Sequence, residues 1–321
     1  MSVNPERLAA TFIKLCETDS PSRHEGKIAN ELKKIFAVLS PDTSFEDESA
    51  AITGSESGNL FFHFSGTTEK EPIFFNCHMD TVEPGVGVRV KREDDLFTSA
   101  GDTVLGSDDK SGIAALIEAI RVIRERNLPF RPVEFVFTTC EEIGLLGAKA
   151  LKPQDIRAKF GYSLDSSGAG RVIIGAPAAN RLKIQVHGVA AHAGLHPEWG
   201  INAIVLAGRA LAQAPNGRVD ENTTVNFGTI RGGMASNIVP EKVLIEGEVR
   251  SHSQQRLVEL TQKVKEAFTT TLNDWQDLTG AAKGKPGVDF TSEPDFPLMQ
   301  LDPDSKVISV VRKAAKSIDM R

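Results

Sequence analysis

The order "PIFFNCH", "DDKSGIAALIEAIRVIRERN", "PVEFVFTTC" constrains the fold more than any other feature of the chain. Two apolar runs of strand length flank a segment in which Ile113, Leu116, Ile117, Ile120 and Ile123 return at helical spacing. A strand, a helix with one apolar face and a second strand form a crossover unit, in which the helix packs on a sheet of parallel strands. The same alternation runs on through "FGYSLD" to about Pro177. Residues 1–177 therefore read as an α/β domain with a mostly parallel sheet flanked by helices.

From about Asn180 the texture changes. "RLKIQVHG", "TTVNFGTI" and "KVLIEGEVRS" read as strands, and "INAIVLAGRALAQA" and "SQQRLVELTQKVKEAFTTTLNDW" as helices, which predicts a second, α+β sandwich domain over 178–290. Two cores suit 321 residues, a length beyond what one hydrophobic interior supports. Over 291–321 a strand-like piece leads through "LDPDS" into the amphipathic "SKVISVVRKAAKSI", which reads as the start of a return to the first domain, broken off by the end of the chain.

Composition narrows the classes of function. Hydrophobic residues make up 40% and charged residues 25%, and no apolar run has the roughly 18 residues needed to cross a bilayer, so a soluble protein without a membrane partner is expected. The start of the chain carries Leu8, Phe12 and Leu15 on one face, without the basic start and apolar core of a secretory signal, which reads as cytoplasmic. Cys16, Cys77 and Cys140 are too few and too scattered for a disulfide framework and form no CxxC pair, so reduced, buried thiols are expected. A net charge of −6 without a basic cluster gives no footprint for nucleic acid.

Ligands of an open α/β sheet bind beyond the carboxyl ends of its strands, where the loops converge. After "IFFNC" come His78 and Asp80; after "TVLG" come Asp108 and Asp109; after "EFVFTT" come Glu141 and Glu142; after "FGYSL" comes Asp165. Each alone has an ordinary use, an acid as a helix cap or a histidine as a bonded core residue. Four such placements in one crevice would repel one another strongly unless cations neutralised them.

One imidazole with several carboxylates and no thiolate suits zinc, manganese or cobalt in a hydrolytic site, and so many oxygens favour two ions sharing a bridging carboxylate. Two ions about 3.5–4 Å apart activate a water and polarise a carbonyl, and a carboxylate free of the metals must then take the water's proton. Of the adjacent pair, Glu142 reads as a ligand and Glu141 as the general base. Asp80, two residues after His78, reads as the carboxylate that orients the ligating ring.

"HMDTV", "GSDDKSGIAAL", "TTCEEIGLLGAKAL" and "LDSSG" resemble the metal-site motifs of the M20 metallopeptidases, and the sequence is most similar to the peptidase T-like branch. The resemblance implies a zinc-peptidase-like catalytic domain with an inserted lid and dimerisation domain, hence a homodimer. It implies that His78 and Asp165 are ligands peculiar to each of two metal ions, that Asp108 bridges them, that Glu142 is a further ligand, Glu141 the proton shuttle and Asp80 the orienter of His78. His192 in "GVAAHAGLHPEWGINAI", and Asn237 and Arg250 in "GGMASNIVPEKVLIEGEVRS", match the branch's substrate-binding positions, with the histidine reaching the partner subunit's site. Activity on short peptides, tripeptides foremost, follows as an aminopeptidase; an M20 carboxypeptidase, an N-acyl amino acid deacylase or a truncated, non-catalytic metal-binding homologue are the alternatives. The pattern also ends in a later histidine, and this sequence has none after His252.

Overall fold

Helix α1 (Pro5–Cys16) begins where the first amphipathic segment places it. Asn4 caps it by accepting from the Arg7 N–H, and Pro5 occupies a position with no helical hydrogen bond to lose. The computed structural model describes residues 3–319, which divide into two units between Ala169 and Gly170.

The first unit continues with α2 (Gly26–Leu39), strands β1 (Thr43–Glu46), β2 (Leu60–Phe64) and β3 (Ile73–His78), helix α3 (Ser107–Glu125), and strands β4 (Val133–Thr138) and β5 (Gly161–Ser163). The strands lie in the order β1-β2-β4-β3-β5. Strand β3 runs parallel to β4 and to β5, and the register sets His78 opposite Thr138. Strand β2 is antiparallel to both its neighbours, β1 and β4, so the sheet is mixed, with β2 reversed and the other four strands running in one sense. Periodicity carries no strand direction, and "LFFHF" is a continuous apolar run that suits either sense.

Helix α3 covers the sheet with the side predicted for it. Ile113, Leu116, Ile117 and Ile120 are all buried against Phe36, Phe62, Phe64, Phe135 and Phe137, and the rings of Phe36 and Phe62 stack with centroids 4.0 Å apart. Each such side chain contributes about 1.5–3 kcal/mol on leaving water.

The second unit contains β6 (Ala178–His187), β7 (Ala191–His192), α4 (Ala203–Gln213), β8 (Gly217–Asp220), β9 (Thr223–Gly232), β10 (Ile238–Val239), β11 (Lys242–Ser251), α5 (Gln254–Asn273), β12 (Gly287–Phe296) and α6 (Lys306–Lys316). Its main sheet, β8-β9-β11-β6-β12, is antiparallel throughout. Leu182, Ile184 and Val186 of β6 meet Leu206 of α4 and Leu260, Val264 and Phe268 of α5 in a second core. The three strands predicted here are the middle of a five-stranded sheet whose edges are β8 and β12. Met299 and Gln300 pair with Gly175 and Ala176 in the same unit.

Candidate metal centre

Because β3 and β4 end side by side in register, the residues that follow them emerge at the same sheet margin. His78 closes β3 and is 2% exposed; Asp80 is completely buried. After β4 the chain turns back on itself, with the Leu146 N–H bonded to Cys140 O at 3.0 Å and the Gly147 N–H to Thr139 O at 2.9 Å. The turn holds Glu141 and Glu142 beside Asp80, whose Oδ1 accepts from Glu141 N at 2.9 Å and whose Oδ2 accepts from Glu142 N at 3.2 Å and Ser22 Oγ at 2.7 Å. Burial opposes the charge of Asp80, but His78, Ser22 and the Glu141 amide outweigh it and hold the carboxyl below its ordinary range.

The entry to α3 brings a third group of donors. Gly106 takes a left-handed φ of 74°, and Asp108 and Asp109 then leave helical geometry, joined by a cis peptide bond. No side chain caps this helix, so the two acids are not the caps that such a position ordinarily carries. Asp108 Oδ1 instead lies 3.0 Å from His78 Nε2, and Asp165 Oδ1, just past β5, lies 3.8 Å from the same nitrogen. Gly112 leaves room for the neighbouring Asp109: a β-carbon there would meet Asp109 Oδ1 at 2.5 Å and Cys77 Sγ at 2.8 Å.

Two sets of candidate ligand atoms result, both containing His78. His78, Glu141 and Glu142 form one, and His78, Asp108 and Asp165 the other, with the atoms of each set within 4.8 Å of one another. The five residues predicted for metal and proton work, His78, Asp108, Glu141, Glu142 and Asp165, are thus gathered in one place, and the sixth site residue, Asp80, is bonded to the glutamate turn beside them. Asp80 differs in detail from its predicted part: its Oδ1 is 3.4 Å from His78 Nδ1 without hydrogen-bond alignment, and its well-formed bonds go to Ser22 and the glutamate turn.

The electrostatics are those of a cation site. Burial, reinforced by Asp165, Glu142 and Asp80, outweighs His78 and pushes the Glu141 carboxyl up to about 7; Glu142 and Asp165 are raised too, with burial the largest cause. Burial works against a charged His78, yet Asp80 and Asp108 overcome it and raise the ring to about 10. Among the described residues no Lys or Arg pairs with any of these five carboxylates; only His78 does. His78 Nδ1 and Asp109 Oδ2 are buried without a hydrogen-bond partner. One imidazole and several carboxylates converging without a Lys or Arg to balance them fit divalent metal.

Residues 174–276 match the M20 peptidase dimerisation domain, and residues 59–193, which contain all six site residues, match peptidase family M28. The uncharacterized protein YqjE of Bacillus subtilis (strain 168) is 39% identical over 317 residues, 98% of this chain and 83% of that one. Two solved structures each align over 99% of this chain and 83% of their own. They are the aminopeptidase PepT from Bacillus cereus ATCC 10987, 38% identical with a TM-score of 0.89, and a tripeptidase from Staphylococcus aureus subsp. aureus Mu50, 34% identical with a TM-score of 0.90. The chain belongs to the peptidase T-like branch of the M20 peptidases. As an M20 peptidase it is a metal-dependent hydrolase of peptide bonds.

Three further predicted residues of this M20 peptidase lie in the second unit. His192 ends β7, which pairs with β10, and the Ala193 N–H bonds to Asn237 O at 2.9 Å, so His192 and Asn237 sit on one small ribbon. His192 Nδ1 accepts from Gly194 N at 3.2 Å, which leaves Nε2 to carry the ring's hydrogen. Arg250, near the end of β11, gives its guanidinium to Glu248 at 2.9 Å. Sequence reading passed over Ser22, Glu25, Gly106 and Gly112, because a serine in a loop, an acid before a helix and isolated glycines are common everywhere. No helix among the described residues is long and apolar enough to cross a membrane.

Proposed function

We propose that this chain is an aminopeptidase that removes the N-terminal residue of short peptides, tripeptides foremost, in which His78, Asp108, Glu142 and Asp165 would hold two divalent ions, Asp108 being the carboxylate that would serve both. The observation that carries this reading is the pair of candidate ligand sets meeting at His78, one completed by Glu141 and Glu142 and the other by Asp108 and Asp165. Zinc suits one imidazole among carboxylates, and cobalt or manganese would be accepted by the same atoms. Bound there, the ions supply Lewis acidity to a water and to the scissile carbonyl.

The chain's own groups supply the proton chemistry. Glu141, poised near 7 by burial, takes a proton from the attacking water as its oxygen bonds to the carbonyl carbon, and returns it to the departing nitrogen as the C–N bond breaks. Asp80 keeps His78 and the glutamate turn in a fixed relation. We assign substrate contacts to His192, whose Nε2–H suits a developing oxyanion, and to Asn237 and Arg250, a fork suited to a peptide carboxylate. The dimerisation-domain match supports a homodimer, and three buried free thiols suit a reducing, cytoplasmic setting.

Elemental analysis of dialysed protein beside hydrolysis of a free tripeptide and its N-acetylated form tests the assignment. About two ions per chain with cleavage of the free peptide is the expected result. Cleavage of the blocked peptide alone would transfer the chain to the deacylases.

A further inference from the structure

The loop before α2 aims two side chains at the centre. Ser22 reaches Asp80, and Glu25, three residues on, is completely buried. Glu25 stands at the N-cap position of α2, yet its carboxyl caps nothing there. Its Oε1 accepts from Cys140 N at 2.9 Å and from Cys140 Sγ at 3.4 Å, while its Oε2 accepts from the Ser55 hydroxyl.

Three consecutive amides therefore end on buried carboxylates: Cys140 on Glu25, and Glu141 and Glu142 on Asp80. Cys140 has a φ of 53°, in the left-handed region that a β-carbon disfavours, so this turn does not keep its shape by local preference. A fully buried carboxylate is a costly acceptor for one amide if the only task is to close a loop. Here it fixes the residue immediately before the proposed base.

We propose that Glu25 is a positioning residue, which with Asp80 sets the direction in which the Glu141 and Glu142 carboxylates leave their turn. The proposal deepens the reading given above and rests on the parts assigned there to Glu141 and Glu142. It separates Glu25 from residues that only support the fold, because its loss misplaces the base and one ligand together.

The test compares the 321-residue wild type with Glu25→Ala and Glu25→Gln, each metal-loaded. Glutamine keeps an oxygen for the Cys140 N–H and offers its amide hydrogens to Ser55 Oγ. Glu25→Ala is expected to lower kcat by about 10²-fold while KM moves little. Chelator competition should show its metal held about tenfold more weakly, and Glu25→Gln should restore most of both. A folded Glu25→Ala protein with wild-type kcat and metal affinity, or one whose kcat falls only in step with its folded fraction, overturns the proposal. If Glu25→Ala does not fold, Ser55→Ala, which removes the brace on Oε2, decides: a lowered kcat with weaker metal binding supports the role, and unchanged values overturn it. Absence of turnover in the wild type would count against the aminopeptidase reading, whereas the difference in metal affinity between wild type and Glu25→Ala would still decide the part played by Glu25.

Discussion

Glu141 and Glu142 are neighbours in one turn, and both feel burial and the surrounding carboxylates. Glu141→Gln is expected to leave metal content unchanged while lowering turnover by about 10²–10⁴-fold, since it removes a proton acceptor and leaves the proposed ligands intact. Elemental analysis beside a rate assay checks this, and an emptied site would show that Glu141 is a ligand instead. Gly112 tests the scaffold beneath them. Gly112→Ala forces a β-carbon against Asp109 and Cys77, which is expected to cost about 1–3 kcal/mol in a denaturant titration and to weaken metal binding. At this scale the acids were legible because a chargeable residue recurs at each of several strand ends. Ser22 and Glu25 were not, because their significance lies in partners more than fifty residues away.

Helices α1 and α3 are joined by an ion pair between the half-buried Arg7 and the buried Glu118. Arg7 Nε reaches Glu118 Oε2 at 2.7 Å, Nη2 reaches Oε1 at 2.9 Å, and the Asn4 N–H adds a third bond at 3.0 Å. Arg7 holds the Glu118 carboxyl below its ordinary range, against a smaller opposing effect of burial. A depressed carboxylate stabilises the fold above its unfolded value of about 4.3, and that contribution is lost as pH falls through the lower folded value. Glu118→Gln should therefore lower the denaturation midpoint at pH 7 and flatten its decline on the acid side of about pH 4; an unchanged acid limb would mean that the pair adds nothing. Elements were easier to read than their senses. The isoleucine spacing located α3, and β-rich runs located β3 and β4. Nothing local marked β2 as running against its neighbours, since strand direction is decided by which neighbour each apolar run finds.

The described residues contain two separate hydrophobic cores, one centred on Phe36 and Phe137 and the other on Ile184 and Phe268. Between the units, residues 165–173 are all exposed, Arg171 among them. Limited trypsin digestion is expected to cut first after Arg171 and release two fragments that resist further cleavage, as each retains its own core; rapid loss of either fragment would show that its core does not stand alone. In the sequence, the change from mixed apolar and amphipathic segments to long alternating strands begins near Asn180, beyond the boundary at Gly170. The pairing of Gly175 and Ala176 with Met299 and Gln300 had no such herald, because strands of two residues are below the length at which a pattern exists.

The uncompensated carboxylates around His78 also govern how fast the centre fills. With no Lys or Arg paired to them among the described residues, they present a negative potential that gathers divalent ions before any ligand bond forms. Counterions weaken such attraction, whose reach at 0.1 M salt is about 10 Å. Stopped-flow reloading of stripped protein should therefore accelerate as ionic strength falls, while substitution of any one of these acids by its amide should flatten that dependence.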